Sequence, residues 1–256
     1  MPDPHTDATE KLPLDYQPAP SLLAERIILV TGAGRGLGRE LAIQAALLGA
    51  TVVLVDKEIP PLEAVYDEIE RRGGAQPAIY PINLEGAKPE DYEQLAITLD
   101  REFGRLDGLV HNAAMLGALS PLAHHDIQLW FQVMQVNLNA PFLLTRACLG
   151  LLNAAEDASL LFIGDDCQRA YWGAYGVSKA GAAALATILA DELETNTAIR
   201  VNVVETGPFR SALRALAYPG EDPNQLPAAS DLVPALIRLL GPDGKLLRGR
   251  RLRLAA

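Results

Sequence analysis

Cysteine is scarce in this chain. Cys148 and Cys167 are the two present among 256 residues. Two thiols build no disulfide framework, and the count fits a reducing, cytoplasmic compartment. Positive charge is also short: 22 Lys and Arg stand against 32 Asp and Glu, a net charge of -10. A phosphate backbone is held by a basic surface, so nucleic acid is not an expected partner. No apolar run approaches the roughly 18 residues that would span a bilayer, so no membrane passage is expected. The opening stretch MPDPHTDATEKLPLDYQPAPS lacks a basic segment followed by an apolar one and does not read as a signal peptide. Residues 1–20 are expected to form an extended arm. Internal repeats and low-complexity linkers are missing too.

What is present is apolar. Hydrophobic residues make up 49% of the chain, enough for a folded α/β domain with a full core. Continuous apolar runs alternate with helical patterns. "RIILVT" (26–31), "TVVLVD" (51–56), "PAIYPIN" (77–83), "LDGLVHNAA" (106–114), "SLLFIG" (159–164) and "IRVNVVE" (199–205) read as strands buried on both faces. "PPLEAVYDEIERRGG" (60–74) starts with proline and stops at glycine, as helices do. Long helices are expected over 126–153 and 173–195. Near the end, Lys245, Arg248, Arg250, Arg251 and Arg253 alternate with leucines and read as a last strand with a solvated face. Such alternation gives a single doubly wound parallel sheet with helices on both faces.

The first turn carries chemistry. "TGAGRGLG" places Gly32, Gly34, Gly36 and Gly38 between an apolar strand and a helix. Glycines there permit a tight turn and let a pyrophosphate approach backbone N–H groups at the helix N-terminus. Arg35 and Leu37 belong to the same turn. The second strand ends in Asp56, where an acid can accept from the adenosine ribose hydroxyls. A carboxylate repels a 2'-phosphate and favours NAD. Arg35 and Lys57 pull toward NADP, since both could pair with that phosphate. The balance leans to NAD.

Taken together, TGAGRGLG, the HNAA at 111–114, Asn137 within VNLNAPF and the Tyr175-x-x-x-Lys179 pair resemble the short-chain dehydrogenase/reductase family over nearly the whole chain. "DYQPAPSLLAERIILVTG", "VMQVNLNAPFLLT", "WGAYGVSKA" and "RALAYPGEDPNQL" are similar to its YciK-like branch. The resemblance implies a single-domain Rossmann fold over 21–256, with seven strands ordered 3-2-1-4-5-6-7 and a substrate lid near 208–228. It implies hydride transfer between a nicotinamide and a small carbonyl or alcohol. Tyr175 would be the general acid or base, and Lys179, one turn on, would favour the phenolate and hold the nicotinamide ribose. Asn137 would anchor a proton-relaying water. Asn112, Ala113 and Ala114 would line the cofactor floor, Asn83 and Leu84 the adenine site, and Gly207 with Pro208 the nicotinamide end. A homodimer or homotetramer is implied as well, and helix stretches such as "AGAAALATILADEL", apolar on more than one face, suit it.

Two departures stand out. The family's serine, a donor to the substrate oxygen, has no counterpart: alignment on the strand end puts Gly164 or Asp165 there. An ionised aspartate has no proton to give. Losing one such donor costs about 100- to 1000-fold in rate. The Pro-Gly pair after the sixth strand is replaced by Thr206-Gly207-Pro208, with Glu205 just before it. Two readings follow: an oxidoreductase with an altered oxyanion contact, or a dinucleotide-binding sensor or partner-binding protein with impaired turnover. Adjacent His124 and His125 would point different ways on a helix, so no metal site is expected. Tyr171 and Trp172 could line the pocket or pack beneath the loop, and Cys167 lacks a neighbour that would activate it.

Overall fold

Apolar runs without polar alternation become strands covered on both sides. The structure is a computed structural model and describes residues 9–255. Its strands, in chain order, are β1 (Glu10–Pro13), β2 (Ile27–Thr31), β3 (Thr51–Asp56), β4 (Ala78–Pro81), β5 (Gly108–His111), β6 (Ser159–Gly164), β7 (Arg200–Glu205) and β8 (Arg250–Ala255). The helices are α1 (Gly36–Leu47), α2 (Ile59–Arg71), α3 (Pro89–Phe103), α4 (Ile127–Met134), α5 (Ala140–Asn153), α6 (Gly173–Leu193), α7 (Ala212–Ala217) and α8 (Ala229–Leu240). All pairings are parallel, in the order β1-β8-β7-β6-β5-β2-β3-β4.

Without β1, this is the expected seven-strand order. The eighth strand was not expected, and it lies within the stretch read as an extended arm. Glu10–Pro13 pairs with Leu252–Ala255 along the open edge of β8, and Leu12 is buried there. An edge strand offers unpaired backbone groups, and this short segment satisfies them. The first eight residues of the expected arm lie outside the described residues.

Strand periodicity sorts the core into two layers. Val52 and Leu54 of β3 face α1, α2 and α8, while Val53 and Val55 face α3, α5 and α6. α2 contributes Leu62, Val65 and Ile69 to the first layer; α3 contributes Tyr92, Leu95 and Leu99 to the second. The helix expected over 126–153 is interrupted by a π turn at Gln135–Asn139 between α4 and α5. Pro141, just inside α5, has no N–H to donate, so the ladder cannot run through it unchanged. In the region expected as a lid, α7 and a short helical turn at Pro223–Gln225 form.

Parallel strands share one carboxyl edge. The glycine turn after β2, Asp56 at the end of β3, Asn112 after β5, Asp165 after β6 and Gly207 after β7 therefore meet there. The opposite edge is tied by Arg200, 2% exposed, which grips Asp157 through Nε at 2.7 Å and donates to the carbonyls of Leu239, Gly241 and Gly244. Burial pushes the Asp157 carboxyl up, but Arg200 and Arg26 outweigh it and hold it below its usual range.

Candidate active site

A cleft of about 920 Å³ runs along the carboxyl edge. Gly32 (φ +67°) and Gly36 (φ +56°) take the left-handed conformation that shapes the turn. A Cβ on Gly36 would meet nothing within 4 Å, so its outer face is open. Gly38 is the reverse case: a Cβ there would lie 2.3 Å from the Gly32 carbonyl oxygen and 2.5 Å from Asn112 Nδ2. Gly32, Arg35, Gly36 and Leu37 line the cleft. Gly34 and Gly38, expected as cofactor contacts, do not line it. Gly34 packs over Pro61 and Asp56, and Gly38 lets α1 close on Gly32.

Asp56 closes the same end. Its Oδ2 accepts from the Gly34 N–H at 3.2 Å and its Oδ1 from the Lys57 N–H at 2.7 Å. Arg35 is paired with Glu58 at 2.7 Å, with both side chains largely exposed. Lys57, Asn83 and Leu84 line the wall beside them. Asn112, Ala113 and Ala114 form the floor. Thr31 Oγ1 fixes that floor by accepting from the Asn112 and Ala113 N–H groups at 3.0 and 3.1 Å.

Tyr175 and Lys179 project from α6 into the other end. Tyr175 is 4% exposed and Lys179 7%. The Tyr175 hydroxyl donates to Asp165 Oδ2 at 3.1 Å. Lys179 Nζ donates to the Ile163 carbonyl at 2.8 Å and lies 5.7 Å from the Tyr175 ring centre. Burial, then the charge of Asp165, drives the Tyr175 pKa far above the ordinary phenol value. Burial lowers that of Lys179, with Asp165 opposing. Burial and the half-buried Asp165 carboxylate thus both favour the protonated phenol. Cys167 is pushed up to about 12, first by burial and then by Asp165, so it is no nucleophile at neutral pH.

Asn137 does not line the cleft. Its Oδ1 accepts from the Met115 N–H at 2.8 Å, and its Nδ2 donates to the Met115 carbonyl at 2.9 Å and to Ser178 Oγ at 3.0 Å. These bonds tie the loop after β5 to α6. Gly207 and Pro208 line the cleft beyond Lys179.

Sequence reading missed three contributors. Arg253 of the last strand enters the cleft and, with Arg251, grips Glu205, which is 3% exposed. The face expected to be merely solvated is therefore ion-paired. Arg253 also reaches Asp166 at 3.2 Å. Arg169 donates to the Tyr218 hydroxyl and stacks 5.0 Å from the Trp172 ring centre. Arg214 of α7 lies 3.6 Å from the Tyr218 ring centre and pairs with Glu221 at 2.6 Å. Trp172 lines the cleft, whereas Tyr171 is exposed and does not. His125 turns away to share a hydrogen bond with Ser120.

The short chain dehydrogenase family model matches residues 26–222. The chain is 40% identical to the oxidoreductase YciK of Escherichia coli (strain K12) over 235 residues, 91% of this chain and 92% of that protein. The chain belongs to the short-chain dehydrogenase family. Solved short-chain dehydrogenases superpose closely. One from Pseudomonas syringae has a TM-score of 0.91 at 46% identity, covering 93% of this chain and 98% of that one. Another, from Escherichia coli CFT073 and complexed with NADPH, has a TM-score of 0.88 at 40% identity, covering 93% and 98%.

The phenol's environment is testable directly. In Asp165→Ser, phenolate absorbance from Tyr175, isolated by difference against Tyr175→Phe, is expected to emerge at lower pH than in the unaltered protein. An unchanged onset would mean that Asp165 does not act on the phenol.

Proposed function

We propose that this short-chain dehydrogenase is a nicotinamide-dependent oxidoreductase working on a small carbonyl or alcohol substrate. The observation that carries this is the meeting of Tyr175 and Lys179 in one cleft with an open glycine turn at its far end. The residues present fit a dinucleotide. The turn at Gly32, Arg35, Gly36 and Leu37 suits the pyrophosphate at the start of α1. Asp56 suits the adenosine ribose, Asn83 and Leu84 the adenine, Asn112 to Ala114 the floor, Lys179 the nicotinamide ribose, and Gly207 with Pro208 the nicotinamide end. The bound coenzyme would supply or accept hydride. The chain's own work is orientation, exclusion of water beneath α7, and holding a proton on Tyr175 Oη. A phenol with a raised pKa stays protonated, so the site is suited to reduction more than to oxidation. The segment 208–228 is the lid over this site, and residues 21–256 form one dinucleotide-binding domain. Both cysteines are free and buried, in keeping with a cytosolic protein.

A second reading is favoured by one observation. With Asp165 in contact with the phenol where the family has a serine, the chain could bind coenzyme and turn over little, as a sensor or partner-binding protein. Fluorescence titration with NADH and NADPH separates the two readings from a folded protein that binds neither. For an oxidoreductase given a ketone, whose oxygen must receive a proton, Tyr175→Phe is expected to lower kcat by about 100- to 10,000-fold with coenzyme affinity unchanged. Residual turnover indifferent to that change would favour the sensor.

NAD(H) is the proposed coenzyme, because Asp56 keeps its carboxylate at the ribose end and Glu58 neutralises Arg35. The NADPH held by the Escherichia coli CFT073 relative keeps NADP(H) as the alternative. Asp56→Ser is expected to raise NADPH affinity relative to NADH by about tenfold in the same titration, roughly 1.4 kcal/mol. If the unaltered protein binds NADPH more tightly than NADH, the assignment to NAD fails.

The exposed faces of α4, α5 and α6 carry Phe131 (62%), Phe142 (46%) and Ile188 (56%). Large apolar side chains gathered on neighbouring helices suit an interface between copies of the chain. Light scattering at micromolar concentration should return a dimer or tetramer, and a monomer would contradict this.

A further inference from the structure

Asp165 is a cleft charge beside the phenol that carbonyl chemistry leaves without a use. It lines the cleft and accepts from the Tyr175 hydroxyl. The other acids at this end are matched: Asp166 pairs with Arg253, and Glu205 with Arg251 and Arg253. Asp165 forms no ion pair within 4 Å among the described residues. Lys179 donates to the Ile163 carbonyl and attracts Asp165 only from beyond ion-pair distance, and Arg169 is engaged with Tyr218 and Trp172. Around the phenol, the walls are largely apolar: Met115, Leu116, Trp172, Leu213 and Ala217. Apolar walls strengthen whatever charge they enclose.

Carbonyl reduction builds negative charge on oxygen beside Tyr175, and a carboxylate at that place opposes it. Reduction of a C=N⁺ group runs the other way, since positive charge is present at the start and vanishes. Resting on the oxidoreductase reading above, we infer that the site takes a cationic substrate, an iminium compound, with Asp165 as the residue that selects its charge. The iminium carbon gains a C–H bond, with hydride coming from the reduced nicotinamide. The C=N π pair becomes the nitrogen lone pair, the product is a neutral amine, and the nicotinamide is left oxidised. No proton is consumed, so neither a serine donor nor an acidic phenol is needed. Tyr175 stays protonated and keeps Asp165 aimed into the cleft. Specificity arises as much from rejecting an anion-forming substrate as from attracting a cation.

The test uses two bicyclic probes of similar size, N-methyl dihydroisoquinolinium, whose charge is fixed, and neutral tetralone. Calorimetry on the full chain without coenzyme should show the cation bound at least about tenfold more tightly than the ketone. Asp165→Asn, which keeps the shape and removes the charge, should erase that difference. If that variant does not fold, rising salt should weaken binding of the cation and leave the ketone unaffected. With NADH or NADPH, whichever binds, kcat/KM for the iminium should exceed that for the ketone by about 100-fold, and Asp165→Ser should reverse the order. Equal binding of the two probes, a preference for tetralone, or no reduction of either by coenzyme-binding protein would overturn the inference. A protein that binds neither coenzyme would instead remove the oxidoreductase reading on which it rests.

Discussion

Parallel pairing of every strand is the constraint from which the rest follows. Because β2, β3, β5, β6 and β7 all point the same way, their carboxyl ends and the loops beyond them share one edge. Five separate stretches of chain then deliver glycines, carboxylates, amides and α6 to one cleft without any of them being near in sequence. Ligand sites in open α/β sheets gather at this edge for the same reason. At the other edge the buried Arg200 binds β7 to the segments around Asp157, Leu239 and Gly244. One edge is rigid and closed; the other is left for chemistry.

Within the cleft, burial and one carboxylate set the electrostatics. Tyr175 and Lys179 are both nearly inaccessible, so each is driven toward its neutral form. Asp165 then acts in the same sense on the phenol, holding its proton, and in the contrary sense on the ammonium. The phenol is held in its protonated form and donates to Asp165.

The arginines entering from β8 make the second half of the pattern. Glu205 lies buried in the cleft that Lys179 lines, where an unpaired acid would be costly. Arg251 and Arg253 cancel it from the neighbouring strand, and Arg253 extends to Asp166. The last strand is in turn paired by the N-terminal segment, so residues from both ends of the chain stand behind one wall of the site.

Apolar runs and helix punctuation were enough to assign a doubly wound parallel sheet, and the family resemblance carried by TGAGRGLG, Asn112, Tyr175 and Lys179 implied its core strand order. Those signals are local, and local periodicity and turn chemistry are what a linear chain displays. Three things were not legible. β1 pairs with β8 across almost the full length of the chain, and four residues with one buried leucine carry no signal of that partner. The π turn at Asn137 depends on how α4 and α5 settle against α6, which redirects an amide from the cleft to the Met115 backbone. Whether Asp165 touches Tyr175, and whether Arg253 reaches Glu205, is decided by side chains meeting from separate strands. The order of residues therefore determined which groups are available and on which edge they emerge. Only tertiary packing decided which of them touch, because the charge that governs a buried phenol comes from through-space neighbours and from the water those neighbours displace.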